Sequence, residues 1–332
     1  MSTGSEIERQ LAGFRSDFEA LKHEIEKVVV GQADVIEGLL TAMVAGGHVL
    51  LEGLPGTGKT VLVQTLADVV DLSFQRIQCT ADLMPTDMIG TYVIMESAQG
   101  RRSFEFQRGP LFSNVVLAEQ INRATPKAQS ALLEAMDEES ITVSTESFPL
   151  PQPFFLVATQ NPLEMEGTYP LPEAQIDRFF FKLVVRPPGS DEMELILDRT
   201  TEAERVITRK IVDAGRIGEM GELVRKIPIA GDVRRWAISV VAATNPEADR
   251  APRTVRQFVR YGCGPRGAQA MVLAAKVRAI LEGRYHVSTA DLCSVCHAAL
   301  RHRVILNFEG QGENVEPDTI LDDVLNTVAE SG

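Results

Sequence analysis

The run GLPGTGKT, residues 53–60, places Gly53, Gly56 and Gly58 ahead of Lys59 and Thr60. This spacing lets successive backbone N–H groups turn inward around phosphate oxygens, with Lys59 reaching the outer phosphates and the Thr60 hydroxyl available to Mg²⁺. The strand-like HVLLE precedes the run and a helical segment follows, the setting the motif requires and an ordinary Gly-rich turn lacks. Pro55, Thr57 and Val61 complete the expected nucleotide-binding set. The ligand class these residues predict is a nucleoside triphosphate.

A second run, VVLAEQINRA (residues 115–124), climbs through apolar residues to Glu119. A parallel sheet offers a metal–nucleotide site such a carboxylate on a neighbouring strand, so Glu119 is expected to accept Mg²⁺ or its waters. A solvated strand end is the plainer alternative. Gln120 stands where a second acid would be useful. The third run, FLVATQNP (residues 155–162), ends in Asn161, which either holds the attacking water or the terminal phosphate, or forms a turn before Pro162.

The elements that must carry these residues follow from periodicity. Ile7, Leu11, Phe14, Phe18, Leu21, Ile25 and Val28 form one apolar seam of an N-terminal helix, with Ser5 and Glu8 as a capping box. Helices are expected at 35–44, 60–70 and 127–137, and strands at 48–51, 74–78, 115–118 and 154–159. Strands separated by helices indicate a parallel α/β sheet. Segments 91–112 and 140–151 read as β-hairpin inserts. After Pro187 and Pro188 helical signals dominate. The expected division is an N-terminal helix at 1–30, a nucleotide-binding α/β core at 31–187, an all-helical lid at 188–310 and an acidic tail with a terminal helix at 311–332.

The chain of 332 residues has a formal charge of −13 and four cysteines. That charge argues against a nucleic-acid or anionic-membrane surface, and the cysteines are too few for a disulfide framework. Neither a signal peptide nor an apolar run long enough to span a membrane is present, so a cytoplasmic location is expected. CSVCH (residues 293–297) matches a haem-attachment pattern, but its apolar residues fit one face of a helix capped at Ser288 or Thr289, which favours buried thiols. Arg301, His302 and Arg303 read as a helix terminus.

The linked segments GLPGTGKT, TADLMPTDMIGTY, FEFQRGPLF, VVLAEQINRATPKAQSALLEAM and VATQNPLEMEGTYPLPEAQIDRF resemble the MoxR branch of the AAA+ ATPases, in the clade with a helix-two insert. The resemblance runs from about Glu24 to Val328. It implies ATP and Mg²⁺ as ligands, with Gly31 and Gln32 near the adenine, Asn161 as sensor one, Arg178 as an arginine finger reaching a neighbour's γ-phosphate, and Arg266 as sensor two. Cys263 and Gly264 depart from the family pattern beside Arg266. It also implies a homo-oligomeric, hexameric ring that acts as a chaperone-like ATPase on client complexes with a von Willebrand factor A domain protein. An ATP-dependent scaffold with little hydrolysis and a magnesium-chelatase-like motor subunit are the alternatives.

In that family the strand ends Asp-Glu, where this chain has Glu119 and Gln120. Glu119 keeps the charge on a longer arm. An amide at 120 orients water but does not take its proton, so slow hydrolysis is expected unless Glu119 takes both roles.

Overall fold

Phe14, Phe18, Leu21 and Ile25 line one face of the first helix, α1 (Thr3–Glu26), and all four are fully buried. The seam therefore packs against the chain's own core. The computed structural model describes residues 3–96, 102–143, 145–163, 167–201 and 206–330, with side chains from Glu6 onward. Since α1 begins at Thr3, the expected cap Ser5 lies inside its first turn, and its side chain is outside the described ones.

Helix α2 (Ala33–Ala45) stops at Gly46, whose left-handed φ of 74° lets the N–H groups of Gly46 and Gly47 close on Met43 and Ala42 carbonyls. The chain then alternates strand and helix. In order come β1 (Val49–Gly53), α3 (Lys59–Val69), β2 (Phe74–Gln78), α4 (Pro85–Ile89), β3 (Gly90–Glu96), β4 (Arg102–Arg108) and β5 (Val115–Glu119). After a single turn at Ile121–Arg123 follow α5 (Pro126–Glu138), β6 (Ser140–Val143), β7 (Glu146–Pro149), β8 (Phe155–Gln160), α6 (Glu173–Ile176) and β9 (Phe181–Val185).

Five of these strands form one parallel sheet in the order β2-β5-β8-β1-β9. Side chains alternate between two cores. Val49, Leu51, Val115, Leu117, Phe155 and Val157 face the core built with α1, α2 and α3, while Leu50, Val116, Ala118, Leu156 and Ala158 face the one built with α4 and α5. Burial on both faces is why these strands read as continuous apolar runs. The edge strand β9 was not among the expected elements; its register sets Gly53 opposite Val185. Both expected hairpins form, as β3–β4 and β6–β7, and Phe106 stacks on Phe148 with ring centroids 4.7 Å apart. Residues 97–101 lie outside the described ones.

His48 precedes β1 and is buried. Its Nδ1 accepts from Leu156 N–H at 3.1 Å and its Nε2 faces the Met136 carbonyl at 3.2 Å, which selects the neutral ring protonated at Nε2. Burial pushes its pKa down from 6.5 to about 4. The unfolded chain therefore binds a proton that the folded chain refuses, and this contribution to stability is present above pH 6.5 and lost as pH falls toward about 4. Urea titrations across that window should show a limb of up to about 1.4 kcal/mol per pH unit that flattens in His48→Gln. A slope equal in the two proteins would assign the acid sensitivity elsewhere.

The remaining elements are α7 (Ser190–Thr201), α8 (Ala214–Lys226), α9 (Gly231–Ala243), α10 (Arg253–Phe258), β10 (Val259–Tyr261), α11 (Pro265–Leu281), α12 (Thr289–Leu300), β11 (Ile305–Leu306), α13 (Phe308–Gly312) and α14 (Pro317–Glu330). This part is helical except for the small β10–β11 pair, which the sequence did not predict. Helix α14 buries Ile320, Leu321, Val324 and Val328 against α9, α10 and α12, and α1 packs on α2, α3 and α11. Ser288 caps α12, as expected, with its hydroxyl accepting from Asp291 N–H at 3.4 Å. Cys296 is fully buried and His297 pairs with Asp322 at 2.9 Å, an arrangement unsuited to covalent haem. Among the described residues no helix is long and apolar enough to cross a membrane.

Candidate nucleotide site

Strand β1 ends at Gly53 and α3 begins at Lys59, so the loop between them leaves the sheet and feeds a helix N-terminus. Gly56 and Gly58 adopt φ of 79° and 78°, which side-chain-bearing residues rarely adopt. Nothing lies within 4 Å of a Cβ added at either, so backbone conformation rather than space demands glycine there. Left-handed residues beside a helix start turn consecutive N–H groups to one side, an anion-binding arrangement.

Lys59 Nζ lies over this loop, donating to the carbonyls of Gly53 at 2.8 Å and Leu54 at 2.6 Å. Burial lowers the pKa of its amine, and Glu119 opposes that shift. Thr60 Oγ1 donates a short hydrogen bond to Glu119 Oε1, so the hydroxyl and the carboxylate expected to meet a metal already touch. Glu119 is the last residue of β5, brought beside α3 by the sheet. Its other oxygen, Oε2, pairs with Arg76 Nη2 at 2.7 Å. Gln120 follows with φ 55°; its N–H donates to Thr159 Oγ1 at 2.9 Å, and its side-chain Oε1 accepts from Gln78 Nε2 at 3.0 Å. Asn161 is buried just beyond β8, and its Oδ1 accepts from Leu163 N–H at 3.2 Å, the local turn that its sequence position allowed.

These groups surround one cleft of about 400 Å³, lined by Gly53, Pro55, Gly56, Thr57, Gly58, Lys59, Thr60, Val61, Gln78, Glu119, Gln120, Thr159, Gln160 and Asn161. Arg76, Gln78 and Thr159 were not anticipated. Their two-residue spacing on β2 puts Arg76 and Gln78 on one strand face, but it is the sheet register, with Gln78 opposite Glu119, that brings them to the site.

Gly31 and Gln32 line a different cleft, of about 640 Å³, between the ends of β9 and helices α11 and α12. Gln32 Nε2 donates to Arg186 O at 2.8 Å. The two clefts flank neighbouring strands, because Gly53 of the phosphate loop is paired with Val185 of β9.

Arg178 and Arg266 line neither cleft. Both converge on Asp137 at the end of α5, Arg178 at 3.1 Å and Arg266 at 3.6 Å, and Arg178 Nη1 also donates to Leu133 O at 2.9 Å. The arrangement separates these guanidiniums from the chain's own phosphate loop and gathers them at another face.

The donor set at the first cleft is oxygen-based, a hydroxyl and one carboxylate, which suits Mg²⁺ carried by phosphate oxygens rather than an all-protein metal cage. Among the described residues no group of three or more His, Cys, Asp or Glu is placed to hold a metal ion.

A glycine-rich loop on a parallel sheet followed by a helical lid is the architecture of an AAA+ ATPase. Residues 48–181 match the ATPase family associated with various cellular activities, and residues 253–324 match the AAA lid domain. The chain is 39% identical over 306 residues to the chaperone MoxR1 of Mycobacterium tuberculosis, covering 92% of this chain and 80% of that one. It is 30% identical to the protein MoxR of Methylorubrum extorquens, covering 96% of this chain and 97% of that one. A crystallised ATPase candidate from Cytophaga hutchinsonii superposes with a TM-score of 0.90 at 37% identity, over 97% of each chain. The chain belongs to the MoxR family of AAA+ ATPases.

Proposed function

We propose that the protein is an ATP-binding, ring-forming subunit that remodels client complexes, and that it turns ATP over slowly. The observation that supports this most directly is the cleft in which Lys59 and the Thr60–Glu119 pair stand against the phosphate loop. In this reading the loop amides and Lys59 hold the triphosphate, and Thr60 and Glu119 hold Mg²⁺, whose chemistry is charge neutralisation on the β and γ oxygens. Gly31 and Gln32 take the adenine. Asn161, with Oδ1 committed to its turn, meets the terminal phosphate through Nδ2. Gln120 positions water without accepting its proton.

Arg178 completes the site in trans, and Arg266 with it. Their shared position at Asp137, away from the chain's own cleft, supports a role toward a neighbouring subunit. The family supplies the finer expectations: a hexamer, and a von Willebrand factor A partner through which clients are engaged. The relative named chaperone MoxR1 favours the client-remodelling role over a motor.

The test is assembly. Sedimentation and particle imaging should show rings that depend on ATP and Mg²⁺, and Lys59→Ala should weaken ATP binding roughly ten- to a hundred-fold, the loss of a charge-assisted phosphate contact. Undiminished binding by Lys59→Ala would remove the phosphate loop from the reading. A scaffold that assembles on ATP and hardly hydrolyses it is the second reading, favoured by the amide at 120 and separated from the first by comparing turnover with assembly.

A further inference from the structure

Arg76 belongs to the edge strand β2 and has no place in the phosphate-binding scheme above, yet its guanidinium sits on the carboxylate expected to serve the metal. Nη2 lies 2.7 Å from Glu119 Oε2, and the same nitrogen donates to Gln78 Oε1 at 2.9 Å. Gln78 in turn donates to Gln120 Oε1 at 3.0 Å. Glu119 therefore has one oxygen on the Thr60 hydroxyl and the other on a cation.

We propose that Arg76 is an internal counter-cation that competes with the magnesium of the incoming nucleotide for Glu119, and so sets how much magnesium improves nucleotide binding. The inference rests on the nucleotide reading of this cleft and adds a residue to it. Magnesium held with Thr60 on one oxygen of Glu119 would stand beside Arg76 on the other, where two cations repel, so metal occupancy favours withdrawal of Arg76. Withdrawal is easy. The Arg76 side chain is 51% exposed while that of Glu119 is 13% exposed, so the guanidinium can swing into water while the carboxylate stays. An ion pair with one exposed member is weak, which makes the competition a modest tuning rather than a block.

The experiment measures ATP affinity twice, in EDTA and in saturating Mg²⁺, and takes the ratio. Loss of a positive charge weakens ATP⁴⁻ more than its magnesium complex and so enlarges that ratio by itself. Arg76→Ala is therefore also measured in a Glu119→Gln background, where the charge is lost without the pair, and an enlargement equal in the two backgrounds would overturn the proposal. Arg76→Ala should enlarge the magnesium-dependent gain by ~2- to 5-fold, the range expected for releasing such a pair. Arg76→Lys should stay close to the parent protein. The difference between Arg76→Ala and the parent should shrink as monovalent salt rises, because an exposed ion pair is screened. Circular dichroism of both variants checks that β2 still folds. An unchanged or smaller gain in Arg76→Ala, with ATP still bound, would overturn the proposal alone. Failure of the parent protein to bind ATP under either condition would instead remove the nucleotide reading and this inference with it.

Discussion

Replacing Gln120 by Glu is expected to raise steady-state ATP turnover by ~10²- to 10⁴-fold, the usual contribution of a positioned base. The substitution is close to isosteric. A carboxylate at 120 can accept from Gln78 Nε2 as the amide oxygen does at 3.0 Å, and the Gln120 N–H remains anchored on Thr159. The side chain already lines the cleft that holds Lys59, so what changes is proton affinity and not place. Phosphate release by the purified protein in ATP and Mg²⁺ measures it.

The geometry also weighs against the idea that Glu119 supplies the missing base. Its two oxygens are engaged by Thr60 and Arg76, and the longer arm is used to make those contacts. A carboxylate held in this way suits a ligand and counter-charge better than a base. Equal turnover by the parent protein and Gln120→Glu would reverse that conclusion and make Glu119, or a water relay, the base. On the proposed in-trans role of Arg178, which stands at Asp137 and away from its own cleft, the prediction requires an assembled ring. If the trans reading holds, Arg178→Ala in the Gln120→Glu background should lose most of the gain while ATP binding persists, since the finger stabilises developing charge in the transition state.

The phosphate loop was legible because its chemistry is carried by consecutive residues: a strand, left-handed glycines and a helix start form within a dozen positions. The central strands were legible because burial on both faces leaves an unbroken apolar signature, as in Val115–Ala118 and Phe155–Thr159. Lateral neighbours in a parallel sheet carry no such signature. Gln78 meets Gln120 across 42 positions of sequence, through a crossover that contains α4 and a whole hairpin, so nothing local marks the pair. Strand β9 was hidden for a related reason: at an edge its FKLVV alternates in burial, and the preceding Phe179 and Phe180 blur its start. The convergence of Arg178 and Arg266 on Asp137 joins a short helix end, a lid helix and the end of α5, three elements that only packing brings together.

Arg301, His302 and Arg303 do end a helix, and the structure gives that terminus a second task with a large expected effect. Arg303 is 5% exposed and fans out over the segment that carries Arg178. Its Nε donates to Asp177 Oδ1 at 2.9 Å, its Nη2 to the carbonyls of Asp177 at 2.9 Å and Phe179 at 2.7 Å, and its Nη1 to Ala299 O and, at 3.3 Å, Phe180 O. His302 Nε2 reaches the Phe179 carbonyl at 2.9 Å, and Arg301 grips Asp318 while touching Lys182 O at 3.3 Å. Three consecutive side chains thus tie the end of α12 to the stretch between Asp177 and the start of β9. Burial lowers the pKa of Arg303, with Asp177 opposing, but a guanidinium stays protonated and must keep its acceptors. Arg303→Ala leaves several carbonyls, and Asp177 with its side chain 33% exposed, without their donor, a loss of ~3–5 kcal/mol for several charge-assisted hydrogen bonds. In a chain of 332 residues that corresponds to a fall in Tm of roughly 4–7 °C by calorimetry. Arg303→Lys, which keeps the charge and loses the fan of donors, should fall between the two. A shift in Arg303→Ala no larger than that of an exposed substitution such as Arg102→Ala would mean the lid is held to the core by its apolar contacts alone.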